Sequence, residues 1–187
     1  EPRYVAAWSG GKDGAVVLLL GKRESGKTIL SQRLARILGR PTYAISPEQK
    51  PPDWIEEMQL EELAEKPPPY STLILDDAPV YASQRDYTNS YVRLLEQIIP
   101  TVRHRRKLIL IFCGQSSGLL DKFTMDSDII LLKQPNLLFL ETERDAVARL
   151  YKTVVPIFDK MTESERKRHA YMFTSDWKGV VRIDKDA

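Results

Sequence analysis

Short apolar runs alternate along this chain with stretches whose apolar positions recur at helical spacing. The runs are Tyr4–Trp8, Ala15–Leu20, Thr42–Ser46, Thr72–Leu75, Leu108–Cys113 and Asp128–Leu132, each of a length that suits one buried strand. Between them, Thr28–Leu38 carries Ile29, Leu30, Leu34, Ile37 and Leu38 on a helical stripe, and Thr88–Arg103 and Ser117–Phe123 read as further helices. Strands alternating with helices predict an α/β fold, with a mostly parallel sheet covered by helices on both faces.

Two regions break the rhythm. Residues 47–69 are dominated by Pro and Glu, including Pro51-Pro52 and Pro67-Pro68-Pro69, and read as a surface excursion with a short helix at Ile55–Ala64. Towards the end, Val147, Leu150, Tyr151, Val154, Phe158 and Met161 form a helical stripe, with a kink expected near Pro156. Thr162 and Glu165 have capping-box spacing for a short basic helix. Ala170–Thr174 and Gly179–Ile183 flank Ser175-Asp176-Trp177-Lys178, the pattern of a C-terminal β-hairpin.

Composition narrows the class. With 187 residues the chain suits a single domain over 1–187, and 42% hydrophobic with 29% charged residues fits a folded, globular chain. A formal net charge of +2 leaves any nucleic-acid affinity to local patches. The single cysteine, Cys113, excludes an internal disulfide and a Cys-based zinc site, and its apolar run predicts a buried structural thiol. No apolar stretch approaches the roughly 18 residues of a membrane span, so no membrane insertion is expected. The opening residues show no signal-peptide pattern, and the start at Glu1 rather than Met leads us to expect a trimmed segment.

The chemistry begins at Gly21-Lys22-Arg23-Glu24-Ser25-Gly26-Lys27-Thr28, an unbroken G-x-x-x-x-G-K-[ST] between a predicted strand and a predicted helix. Gly21 and Gly26 let the backbone turn and approach a polyphosphate, and successive N–H groups converge where the helix dipole favours an anion. Lys27 is placed to reach the β- and γ-phosphates, and the Thr28 hydroxyl to bind Mg²⁺.

Leu73-Ile74-Leu75-Asp76-Asp77 is an apolar strand ending in two acids, and such ends open onto the ligand crevice of a parallel sheet. Asp76 is assigned to the metal and Asp77 to the attacking water. The strand Leu108–Cys113 ends at Gly114-Gln115, where the Gln115 amide can bond the γ-phosphate or the water. Ahead of it, Arg103-His104-Arg105-Arg106-Lys107 is either a solvated helix end favoured by the dipole, an arginine finger for a neighbouring subunit, or a contact to DNA phosphates. A competing motif, Ser9-Gly10-Gly11-Lys12-Asp13-Gly14, approaches the pyrophosphate loop of ATP-pyrophosphatase-type ligases. Its final serine is replaced by Gly14. That family would continue into a helix, whereas Ala15–Leu20 reads as a strand.

Taken in order, these landmarks resemble the FtsK–HerA superfamily of P-loop ATPases, and most closely its compact viral genome-packaging members. Gly21–Thr28 is similar to the family's phosphate loop (its Walker A motif), and Leu73–Asp77 to its acid-ended strand (Walker B). Arg103-His104, Leu108-Ile109-Leu110 and Gln115 are similar to its arginine-bearing helix end, fourth core strand and terminal glutamine. Asp128–Leu132 resembles its fifth core strand, and Ala170–Ile183 its closing hairpin. Two positions depart from the pattern. The second acid is Asp77 where Glu is usual, and Arg103 lies one residue further from Gln115 than the family spacing, which keeps Arg105 and Arg106 open as the finger.

The resemblance implies a RecA-like core, ATP and Mg²⁺ as cofactors, and a homo-oligomeric ring, usually a hexamer. Its site lies between subunits, where hydrolysis drives double-stranded DNA through the ring. A viral packaging role adds a capsid vertex as partner and places the protein in the virion or host cytoplasm. Three other readings stay open: a non-motor P-loop nucleotide-binding protein, a filamentous-phage assembly ATPase, and a HerA-type DNA-processing translocase.

Overall fold

The computed structural model describes residues 14–46, 49–76, 100–101, 106–115, 127–137, 140 and 145–182. The expected strand Tyr4–Trp8, the helix Ser117–Phe123 and most of the Ser9–Gly14 turn lie outside these residues. So does most of Thr88–Arg103, of which residues 100–101 are helical.

The elements in chain order are β1 (Ala15–Leu20), α1 (Lys27–Leu38), β2 (Thr42–Ile45), β3 (Glu56–Glu57), a 3₁₀ turn (Leu60–Ala64), β4 (Thr72–Leu75), β5 (Ile109–Gly114), β6 (Ile129–Leu132), α2 (Asp145–Asp159), α3 (Glu163–Arg168), β7 (His169–Phe173) and β8 (Lys178–Arg182). They build an eight-stranded sheet in the order β3-β2-β4-β5-β1-β6-β7-β8. The first six strands in that order run parallel, and β7 and β8 close the edge antiparallel.

Every residue of β1 and β5 is buried, so these central strands read as continuous apolar runs rather than as alternating ones. Their side chains still divide by the two-residue period. Val16, Leu18 and Leu20 join Leu110 and Phe112 on the face covered by Val147, Tyr151, Val154 and Phe158 of α2. Val17 and Leu19 join Ile109, Ile111 and Cys113 on the face covered by Leu30, Leu34 and Ala35 of α1. Each such leucine, buried from water, contributes about 2 kcal/mol. Cys113 is fully buried and free.

The excursion is less superficial than its prolines suggest. Ile55, Met58, Leu60 and Leu63 are all buried, and Glu56–Glu57 adds a short parallel strand beside β2. Only the 3₁₀ turn stands for the expected helix there, closed by a reciprocal Gln59–Glu62 capping box. At the other end Pro156 lies inside α2, and Thr162 caps α3 with Glu165 at N3. Among the described residues no helix is long and apolar enough to cross a membrane.

Candidate functional site: a phosphate loop at the sheet's switch point

The chain leaves β1 at Leu20, with β5 on one side of that strand and β6 on the other. Crevices at such a switch point are where ligands bind in open α/β sheets. Both neighbours hold the loop. The Gly21 N–H donates to the Gly114 carbonyl at 3.2 Å, and the Lys22 N–H to the Gln134 carbonyl at 2.8 Å. An added Cβ on Gly21 would sit 2.8 Å from the Lys133 Cβ and 2.9 Å from the Ser25 Oγ, so only glycine permits this approach.

The loop then turns tightly. Ser25 N–H donates to the Lys22 carbonyl at 3.3 Å, and Glu24 and Gly26 adopt φ of 59° and 87°. Gly26 is the N-cap of α1 and offers no side chain to its first turn, which leaves backbone N–H groups for an anion. Ser25 adds a buried hydroxyl with no hydrogen-bond partner among the described residues, a donor suited to a phosphate oxygen. Lys27 is buried, and its ammonium crosses the loop to the Lys22 carbonyl at 2.9 Å. The arrangement is one that can receive a polyphosphate, with the Lys27 cation already folded inward.

Two strands away, β4 delivers Asp76, buried and fixed by its N–H to the Ile45 carbonyl at 3.0 Å. Asp76 and Thr28 line one cleft with Gln32, Ser46 and Gln49. A hydroxyl and a carboxylate are the hard oxygen donors that suit Mg²⁺. Among the described residues no cluster of three or more His, Cys, Asp or Glu could enclose an ion alone, so phosphate and water oxygens would complete such a shell. Gln115 follows the Gly114 that accepts from Gly21, so β5 sets it between the loop and the acid strand. Asp77, Arg103 and Arg105 lie outside the described residues.

Arg106 is described, and its guanidinium is engaged within the chain. Its guanidinium donates to the Leu63 and Pro67 carbonyls, both at 2.9 Å, and partial burial lowers its pKa. It stands before β5, at the end of that strand away from the loop, and clips the excursion to the sheet. Sequence spacing left it open; the carbonyls that occupy it lie about forty residues away in sequence.

Sequence reasoning missed Lys133, the residue after β6. It is 1% exposed, yet its ammonium donates to the Lys167 carbonyl at 2.8 Å, at the end of α3. Burial, then Lys27 and then Arg33, push its pKa down to about 8. The available signal was positional: a lysine directly after a buried strand, at the end of the sheet where the crevice opens. Beside it, Lys22, Glu24, Ser25, Gln134, Glu163 and Arg166 help line a cavity of about 140 Å³.

No protein-family model matches the chain, and no curated protein does. Solved structures match. The genome packaging NTPase of Sulfolobus turreted icosahedral virus 2, in complex with AMPPCP, aligns at TM-score 0.60 and 14% identity, covering 92% of this chain and 98% of that one. The same NTPase in complex with ATP-gammaS aligns at 0.52 and 14%, covering 92% and 97%. The DNA-packaging ATPase of Sulfolobus turreted icosahedral virus aligns at 0.55 and 12%, covering 92% and 98%. This chain has their fold. At 12–14% identity the likeness is one of fold.

Proposed function

We propose that this chain is a Mg²⁺-dependent ATPase that drives double-stranded DNA, working as a viral genome-packaging motor of one P-loop domain over residues 1–187. The observation that carries the reading is the placement of β5 between the loop strand β1 and the acid strand β4. That order puts Gln115 between a phosphate cradle and a carboxylate, where a γ-phosphate and its attacking water would meet. The packaging NTPases of like fold were solved with AMPPCP and ATP-gammaS, which supports ATP as the nucleotide here.

Each residue then has a task. The loop N–H groups and the Ser25 hydroxyl hold the phosphates, and Lys27 swings from the Lys22 carbonyl to the β- and γ-oxygens. Thr28 and Asp76 would hold Mg²⁺, which would supply positive charge to the phosphates. Asp77 orients the water and accepts its proton, and Gln115 bonds the γ-phosphate or that water. Arg103, from the adjacent subunit of a ring (a hexamer by resemblance), stabilises the transition-state charge. A capsid vertex is the proposed docking partner, in the virion or the host cytoplasm.

Direct binding and turnover assays test the roles. Asp77→Asn should bind Mg·ATP normally but turn over at least about a hundredfold more slowly, because an amide takes no proton from water. Asp76→Asn should instead raise the Mg²⁺ concentration needed for half-maximal rate. Exchanged phenotypes would reverse the two assignments, and wild-type behaviour in both would remove the acids from the site.

A further inference from the structure

A buried lysine that the motif chemistry does not use lies directly behind the phosphate loop. Lys133 packs its Cβ against the backbone of Gly21, where an added methyl would approach to 2.8 Å. Its ammonium lies 3.8 Å from the position of a Cβ on Gly26, and the Lys167 carbonyl lies 3.3 Å from that position. The side chain therefore runs under the loop from the first glycine to the last. There it donates at 2.8 Å to an α3 carbonyl, at the helix end where carbonyls lack intrahelical partners and a cation is favoured. α3 passes straight into β7, so this one bond ties the loop to the closing hairpin.

Burying an ammonium against a single carbonyl is costly, and the surroundings make it more so. Among the described residues the charges acting on it are both positive, Lys27 and Arg33 of α1. The loop's own charged residues Lys22, Arg23 and Glu24 line the adjoining cavity, and Glu163 of α3 is paired with Lys167 at 3.0 Å. No structural bond of this strength needs a charge in such a place, since an apolar side chain would fill the same volume. A bound polyphosphate would supply the negative charge that the described surroundings do not.

We propose that Lys133 is a positioning residue of the nucleotide site, whose buried ammonium holds the Gly26 turn against α3 and adds a positive charge behind the phosphates. The inference rests on the nucleotide reading above and names a group that reading does not contain. It carries a pH signature. Without nucleotide the ammonium loses its proton near pH 8. An anion brought close favours the charged form and raises that value. Binding then takes up a proton between the two values, so affinity falls as pH rises above 8.

The test is calorimetric titration of the full chain with a non-hydrolysable Mg·ATP analogue from pH 6.5 to 9.5, in two buffers of different ionisation enthalpy. Wild type should take up a fraction of a proton per site near pH 8 and bind progressively more weakly above it. Lys133→Met should bind about tenfold more weakly at pH 7 and show no Lys133-dependent uptake. Lys133→Arg, whose charge does not titrate in this range, should recover affinity at pH 7 and lose the weakening above pH 8. Tight wild-type binding without proton uptake would overturn the proposal, whatever the variants do. So would uptake that persists in Lys133→Met. A wild-type chain that binds no analogue at any pH would instead overturn the nucleotide reading itself.

Discussion

Gly21 is the residue on which the loop's shape depends most, because a methyl there would press on the stem of Lys133 and on the short Ser25 side chain, neither free to swing clear. Gly21→Ala should therefore weaken nucleotide binding at least about tenfold, with overpacking costing about 1–3 kcal/mol of stability. Equilibrium binding and urea unfolding read the two effects separately, and unchanged affinity would contradict the geometry. Lys27→Ala should abolish hydrolysis while leaving the fold, since the lost bond to the Lys22 carbonyl is worth only about 1 kcal/mol. Lys133 gives a third prediction, with no nucleotide present. Its folded pKa of about 8 lies below the ordinary 10.5, so between these values the unfolded chain holds more protons. The cost of burying its charge is complete below pH 8 and fades as pH rises towards 10.5. The stability of wild type relative to Lys133→Met should accordingly rise between pH 7 and 10 in urea unfolding; a difference that stays constant would contradict a charged, buried Lys133.

Among the elements, β5 does most to shape the candidate site, because it separates the loop strand from the acid strand and leads directly into Gln115. Its opposite end is held by Arg106, and Arg106→Ala would leave the Leu63 and Pro67 carbonyls without their donor. A loss of about 2–4 kcal/mol is expected in urea unfolding, with the ATPase rate per folded molecule unchanged. A lost rate in a stable protein would return Arg106 to the list of fingers. β1 and β4 were legible to the residue, since an unbroken apolar run bounded by turn formers marks a strand buried on both faces. The phosphate loop and capped α3 were legible because their chemistry is local in sequence. β3 was not, because Glu56 and Glu57 are both exposed and show no alternation. Ile55, Met58, Leu60 and Leu63 escaped notice as core because glutamates stand between them and proline pairs and triplets flank the segment. Lys133 and Arg106 act on carbonyls more than thirty residues away, a relation that no local period encodes.

For the whole molecule, strand order sets the loop and the start of β5 at opposite ends of a strand about 20 Å long. An arginine supplied from before β5 would meet a phosphate loop most readily on another copy of the chain. If Arg103 acts across a ring interface, mixing Arg103→Ala with Lys27→Ala subunits, each inactive alone, should restore part of the ATPase activity. Interfaces then exist that join an intact Lys27 to an intact Arg103; action within one subunit would restore none. The most direct measurement of the proposed motor activity is the ATPase rate per subunit against protein concentration, with and without double-stranded DNA. A ring motor predicts a rate that climbs steeply as subunits assemble and climbs further with DNA. A rate per subunit independent of both concentration and DNA would contradict it.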